Sequence, residues 1–277
     1  MKNIIDFYEK YDEESRPTAG NAKRIEFLTT THLLNDHIQS NHKIIELGAG
    51  TGVYSFYYAA MGCQVVATDI TPHYIEIIEK KLEKIEDELH LEAKVTNASD
   101  LNQFEPEIFD VVLCLGPMYH LTETRDRDRC IDESLRVLKK GGLLAIAYIN
   151  KHFVINNIAA KDSSFITGTF VDNILDSGVI KKGEKECFWT DAFFTTPNEI
   201  ESFIDTFNVT IIDHIATDGI SPILKDAIDS MSEKQYMAWL HYHQKSCRDK
   251  SIMGLSNHGL VLCRKMQYIP PLKNAVE

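Results

Sequence analysis

Ten residues, Lys43-Ile44-Ile45-Glu46-Leu47-Gly48-Ala49-Gly50-Thr51-Gly52, constrain this chain more than any others. An apolar run of strand character feeds directly into three glycines at alternate positions. A helical pattern from Val53 to Met61 follows at once. Strand, tight turn and helix N-terminus, in that order, bring backbone N–H groups close to a nucleotide-like ligand. Glycine permits positive φ there and removes the Cβ atoms that would hold a ligand away.

Around that turn the pattern alternates. Strand-like segments at 43–47, 63–68, 91–95, 109–114 and 143–149 are separated by helical ones. Thr71-Pro72 reads as an N-cap with proline at the first helical position. Behind it Ile75, Ile78, Leu82, Ile85 and Leu89 predict one apolar helical stripe. A further helix carries Cys130, Ile131, Leu135 and Leu138 on one face, and Lys139-Lys140-Gly141-Gly142 predicts its end. Alternation at this spacing implies an α/β fold, a Rossmann-like parallel sheet with helices on both faces. A helix over 21–39 precedes it, and residues 1–20 form a polar and aromatic opening broken by Pro17 and Gly20.

After residue 150 the alternation stops. Residues 151–194 carry mixed signals. Thr196-Pro197-Asn198-Glu199 is a capping box that opens a helix, 208–215 is a strand, 221–250 is helical with a second capping box at Ser232–Gln235, and 259–264 is a last strand. The expectation is one domain, with a core of about 21–150, 195–216 and 257–266. Segments 151–194 and 217–256 are expected to cap the C-terminal edge of the sheet, where such sheets bind ligands.

Composition narrows the function. With 29 basic and 41 acidic residues the net charge is −12, which disfavours nucleic-acid binding and favours a small-molecule partner. No apolar stretch is long enough for a membrane span. Six scattered cysteines without a C-x-x-C pair fit buried thiols and a cytoplasmic setting. His241 and His243 stand about 200° apart on their helix, so no metal site is expected.

A nicotinamide-binding turn needs G-x-G-x-x-G, and its third glycine would fall on Val53. The pattern Glu46-x-Gly48-x-Gly50-x-Gly52 instead resembles the first motif of class I S-adenosylmethionine-dependent methyltransferases. Three further stretches match that family in order. Asp69 ends the second strand, where the family holds ribose hydroxyls. Asn97-Ala98-Ser99-Asp100-Leu101 resembles its adenine loop, although the family more often has Asp at the place of Asn97. Arg136 to Gly142 resembles its turn before strand five. The resemblance covers about 43–150. It implies a seven-stranded sheet with the last strand antiparallel, and S-adenosylmethionine as cofactor with S-adenosylhomocysteine as product. The donor site it implies comprises Glu46, Gly48, Ala49, Gly50, Asp69, Ile70, Asn97, Ala98, Ser99 and Leu115. Tyr11 and Arg16 of the N-terminal segment, with Tyr8 beside them, would fold over the donor.

Leu115-Gly116-Pro117-Met118-Tyr119-His120-Leu121 resembles a Gly-Pro-Leu-Tyr-His-Leu signature of a bacterial small-molecule subgroup. It places Tyr119 and His120 where methyl donor and acceptor meet. His120 reads either as a base for a nucleophile that must lose a proton or as a structural histidine that caps the next helix or bonds a backbone carbonyl, and Tyr119 either as a pocket wall or as core packing. Phe188 to Phe194 and Ser256 to Gly259 are further candidates for the substrate side. The expected activity is methyl transfer to oxygen, nitrogen or sulfur of a small molecule, by a monomer or homodimer. An RNA or protein methyltransferase is a second reading. A donor-binding protein without transferase activity is a third.

Overall fold

The computed structural model describes residues 2–11 and 20–267. Its main sheet holds β1 (Lys43–Leu47), β2 (Gln64–Asp69), β3 (Leu91–Val95), β4 (Phe109–Cys114) and β5 (Leu138–Ile149). A small hairpin of β6 (Val179–Ile180) and β7 (Ala192–Phe193) stands apart. The main sheet is completed by β8 (Val209–Ala216) and β9 (His258–Lys265). The seven strands lie in the order β3-β2-β1-β4-β5-β9-β8. β9 alone runs antiparallel, wedged between β5 and β8.

β1 and β4 sit at the centre, and Ile44, Ile45, Leu47 and Val111 to Cys114 are fully buried. Strands covered on both faces need continuous apolar runs, and these have them. Successive side chains serve opposite layers. Ile45, Val112 and Cys114 pack with α5 (Thr124–Val137) and α8 (Pro197–Ile204), through Ile131 and Ile204. Ile44, Val111 and Leu113 pack with α2 (Asn21–Leu34) and α3 (Val53–Ala60), through Leu34 and Tyr58.

Two element ends differ from the sequence reading. The helix α4 (Pro72–Leu82) stops seven residues before Leu89, and Ile85 is exposed. Glu86-Asp87-Glu88 would place three negative charges at a helix C-terminus, against the macrodipole. α5 ends at Val137 rather than at the glycine pair. Leu138 already pairs with Phe109, the register then shifts, and Gly141 takes φ 73° inside β5. The N-terminal segment, read only as a polar and aromatic opening, begins with the short helix α1 (Lys2–Tyr8), which buries Ile4.

Residues 151–194 form α6 (Lys151–Lys161), α7 (Gly168–Asp176) and the β6–β7 hairpin. They share an apolar cluster with Tyr119 and Ile149 at the C-terminal ends of β4 and β5. Between β8 and β9 lie α9 (Lys225–Asp229), α10 (Glu233–Ser246) and α11 (Lys250–Met253). α9 and α10 pack on α2 through Ile25, Ile228, Tyr236 and Leu240. Both capping boxes, at Thr196 and Ser232, are formed.

Candidate active site

The glycine turn is built as its spacing demands. Gly48, Gly50 and Gly52 take φ of 70°, 55° and 87°, the left-handed region that side chains resist. A Cβ on Gly48 would also lie 3.0 Å from Pro117 Cδ. Asp69, at the end of β2, locks the turn from beneath. Its Oδ2 accepts the Gly50 N–H at 2.9 Å, and its Oδ1 accepts the Thr71 N–H at 2.8 Å at the start of α4. Burial raises the Asp69 carboxyl above its usual range, and these backbone donors oppose that shift. Each oxygen can still accept a second bond from a ligand. Glu46, inside β1, is buried and accepts a short hydrogen bond from Ser55 Oγ. Burial pushes its carboxyl up to about 8, against the Ser55 bonds, and the nearby Asp69 charge adds to the rise.

Two clefts flank the turn. One, of about 760 Å3 with its open mouth, is lined by Gly48, Gly50, Asp69, Ile70, Asn97 and Ala98, and by Tyr119 and His120. The other brings together Glu46, Gly48, Ala49, Gly50, Leu115 and Tyr119. Tyr119, Gly48 and Gly50 belong to both. Asn97 spends one carbonyl lone pair on the Ser99 N–H at 3.0 Å, an Asx turn that leaves the other lone pair for a ligand. Ser99 stands outside both clefts, its hydroxyl bonded to the Asp126 carbonyl at 3.1 Å. Arg16 lies outside the described residues. Tyr11 lines a different cavity.

His120 is held on both sides. Its Nδ1 is 3.1 Å from the Asp191 carbonyl, which can only accept, so Nδ1 carries the proton. Nε2 then accepts the Tyr8 hydroxyl at 2.7 Å. Burial pushes the ring down to about 4, and the Asp191 carbonyl opposes this only in part. The imidazole therefore ties α1 to the β6–β7 hairpin as a neutral ring. Asn3 adds a second tie to the hairpin, donating to the Asp191 carboxylate at 3.1 Å.

A third cavity, about 1120 Å3 with its mouth, lies against these clefts. It shares Tyr8 with the first, and Lys23 and Glu26 with the second. Phe188, Trp189 and Phe194 line it, as do Asn257 and His258, so both sequence candidates for the substrate side reach one space. Asp218, just after β8, is the residue that sequence reasoning missed. It is 3 % exposed, and its Oδ2 accepts the His258 Nδ1–H at 2.7 Å. Its Oδ1 accepts the His258 backbone N–H at 2.8 Å, and the Asn257 amide donates to Oδ2 at 3.1 Å. Burial would raise this carboxyl, but the His258 ring and these donors outweigh burial and hold it below the usual range. Nothing local in Thr217-Asp218-Gly219 signals this role, because its partner is 40 residues away.

Comparison with known proteins places this geometry. Residues 45–146 match a family model described as a methyltransferase domain. A Ubiquinone biosynthesis O-methyltransferase of Xanthomonas euvesicatoria is 27% identical over 133 residues, 48% of this chain and 52% of that protein. The chain thus spans about half the length of that relative. Among solved structures, a SAM-dependent methyltransferase of Methanosarcina mazei superposes with a TM-score of 0.58 at 18% identity, over 85% of this chain and 98% of that one. A putative sarcosine dimethylglycine methyltransferase of Galdieria sulphuraria gives 0.53 at 15%, over 89% and 87%. At such identities the structures speak for the fold. With the sheet order, the glycine turn and the matched stretch in agreement, residues 45–146 are a methyltransferase domain of the class I, S-adenosylmethionine-dependent kind.

Proposed function

We propose that this enzyme moves a methyl group from S-adenosylmethionine to an oxygen, nitrogen or sulfur nucleophile of a small molecule. One observation carries the reading: two clefts meet at Gly48 and Gly50, Tyr119 lines both, and a separate cavity adjoins them. The donor suits the residues present. Two buried carboxyl groups, Glu46 and Asp69, flank a turn whose glycines leave room that a Cβ would fill. Asp69 would hold the ribose hydroxyls, Ile70, Asn97 and Ala98 the adenine, and Glu46 with Ala49 and Leu115 the amino-acid tail. When bound, the donor supplies a methyl group already activated by a sulfonium charge.

The chain's own part is alignment and exclusion of water, a proximity contribution. Tyr8, held by His120, closes the space between the donor cleft and the third cavity. His120 works here as a post for Tyr8 rather than as a base, because both its nitrogens are spent and its ring stays neutral. Segments 151–194 and 217–256 serve as lids of one catalytic domain and set the acceptor's shape. The Xanthomonas relative's name makes oxygen the first acceptor atom to try.

Calorimetry with S-adenosylhomocysteine tests the donor site, with binding expected on the order of −7 to −9 kcal/mol. No heat across that range would reject the reading. Release of S-adenosylhomocysteine over a metabolite panel then tests the small-molecule assignment. Turnover confined to RNA or protein would overturn it.

A further inference from the structure

A fourth cavity, of about 560 Å3 with its mouth, is lined from α5, α6, the end of α7, the hairpin and α8. Its size falls in the range of ligand pockets, and it shares no lining residue with the donor clefts or the third cavity. Two cations in its wall are more than nine-tenths buried, Arg127 at 8 % exposure and Lys151 at 4 %. Lys151 has a counter-charge. Its ammonium donates to Glu199 Oε1 at 2.9 Å and to the Leu175 carbonyl at 3.0 Å, which leaves one N–H unused. The other oxygen of Glu199 accepts the Thr196 N–H at 2.8 Å in the capping box. Arg127 has no carboxylate partner among the described residues. Nη1 donates to the carbonyls of Leu121 at 2.6 Å and Thr122 at 3.0 Å, and Nη2 donates to the Thr124 hydroxyl at 2.9 Å. Phe193 covers one face of the guanidinium, 3.7 Å from ring centroid to carbon. The Nε–H and one Nη2–H have no partner among the described residues.

A buried guanidinium without a bonded counter-charge is a costly placement. Burial lowers its pKa even though Asp128, Glu123 and Asp126 pull the other way through space. Glu123 is itself bonded to Lys181, at 2.8 Å. Holding the turn before α5 accounts for the three bonds to neutral acceptors and leaves the Nε side unexplained. Nε with one Nη is an edge that grips a carboxylate by two parallel bonds. The charge left over is one. Glu199 neutralises Lys151, and Asp176, the other acid of the wall, lies exposed to water at the mouth. Met118, Phe193, Ile200 and Phe203 make the remaining wall apolar. Such walls penalise a phosphate, charged on every side, and favour an acid group carried on an apolar body.

We infer that this cavity is a second ligand site, and that it takes a monocarboxylate with an apolar body. The acid group accepts from Arg127, the unused N–H of Lys151 borders the same space, and the body lies among Met118, Ile200 and Phe203. The site adjoins the post that holds Tyr8 without entering the donor cleft. Met118 stands two positions before His120, and Phe193 two positions after Asp191, whose carbonyl bonds the His120 ring. The inference does not depend on the methyl-transfer reading, and binding alone decides it.

The test is calorimetry of the full chain with 3-phenylpropanoate, run with and without S-adenosylhomocysteine. The parent is expected to bind it with Kd below about 1 mM in both conditions. The neutral 3-phenylpropan-1-ol and inorganic phosphate should each bind at least about tenfold more weakly. Arg127→Lys keeps the charge and loses the two-pronged edge, so affinity should fall at least about tenfold. Because Arg127 also holds the turn before α5, thermal unfolding must first show that this variant is folded. A second variant avoids that difficulty. Asp176 is exposed and its carboxylate has no bond among the described residues, so Asp176→Lys keeps the fold and exchanges a repelling charge for an attracting one. It should tighten binding at least about threefold at low salt. A purely structural Arg127 predicts no binding by the parent and no response to Asp176→Lys. No heat from the parent at about 10 mM would overturn the inference. So would equal binding of the alcohol, tighter binding of phosphate, or an affinity that Asp176→Lys and a folded Arg127→Lys both leave unchanged, which would put the ligand in another cavity. Any of these leaves the methyl-transfer reading standing, and a parent that binds the carboxylate but not S-adenosylhomocysteine would sink that reading alone.

Discussion

The cleft that includes Asp69 and the cavity that includes Asp218 are assembled from different kinds of sequence. Apart from Ile4 and Tyr8, every residue lining the first comes from positions 48 to 121, on consecutive β–α turns. The second draws on α1, α2, the end of β5, α6, the hairpin, and both ends of the β8–β9 excursion. One is backbone geometry, in which glycines and turn carboxylates do the holding. The other is a meeting of side chains from distant segments. Backbone geometry leaves a local signature, whereas distant side chains leave none.

Substitutions can break or sharpen that contrast. Gly48→Ala is expected to do most, because it forces a Cβ into positive φ against Pro117. S-adenosylhomocysteine should bind about 2 kcal/mol more weakly by calorimetry. Unchanged affinity would mean that the turn does not approach the ligand. Asp69→Ala should cost at least about 1.5 kcal/mol of donor affinity, by loss of charged hydrogen bonds. If it affected acceptor turnover alone, the two sites would not be separable as described.

Tyr8→Phe removes a 2.7 Å bond and leaves His120 Nε2 without that donor, so denaturant unfolding should show about 1 kcal/mol less stability. Donor affinity should move less than threefold, because Tyr8 belongs to the seam between the regions. Glu46 makes both binding and stability depend on pH. Glu46 is protonated in the unliganded protein up to about 8, and a bound ammonium favours its ionised form. Binding therefore expels a proton, and S-adenosylhomocysteine affinity should rise from pH 6 to 8. Without ligand the sign reverses. The unfolded chain releases this proton from about pH 4.5 and the folded chain only near 8, so stability falls across that window. Glu46→Gln should flatten both dependences.

The same contrast explains what could be read in advance. Gly48, Gly50, Gly52, Asp69 and the Asn97 turn were legible because each acts through φ or through a neighbour two residues away. The continuous apolar run of β4 betrayed a central strand for a similar local reason. α1 escaped notice because seven residues hold no stripe, and its order depends on ties to His120 and Asp191 more than 100 residues away. His120 read either as a base, because its residue type suits one, or as a structural ring bonded to a backbone carbonyl, and residue type alone does not separate the two. That Tyr8 and the Asp191 carbonyl occupy both nitrogens is a fact of packing. Ser99 fell within a recognisable loop, yet its hydroxyl turned to Asp126 on α5. Asp218 was invisible for want of its partner.

The reversal of β9 has an architectural consequence. Because it runs against its neighbours, the chain leaves β8 and re-enters at His258 on the same rim of the sheet, so residues 217–257 between them form a closed excursion. Asp218 and His258 are its two feet, clamped to each other. What lies between them is mechanically a replaceable visor. Exchanging residues 223–253 for a segment of other length or lining should redirect acceptor choice while the two clamped feet and the distant glycine turn stay in register.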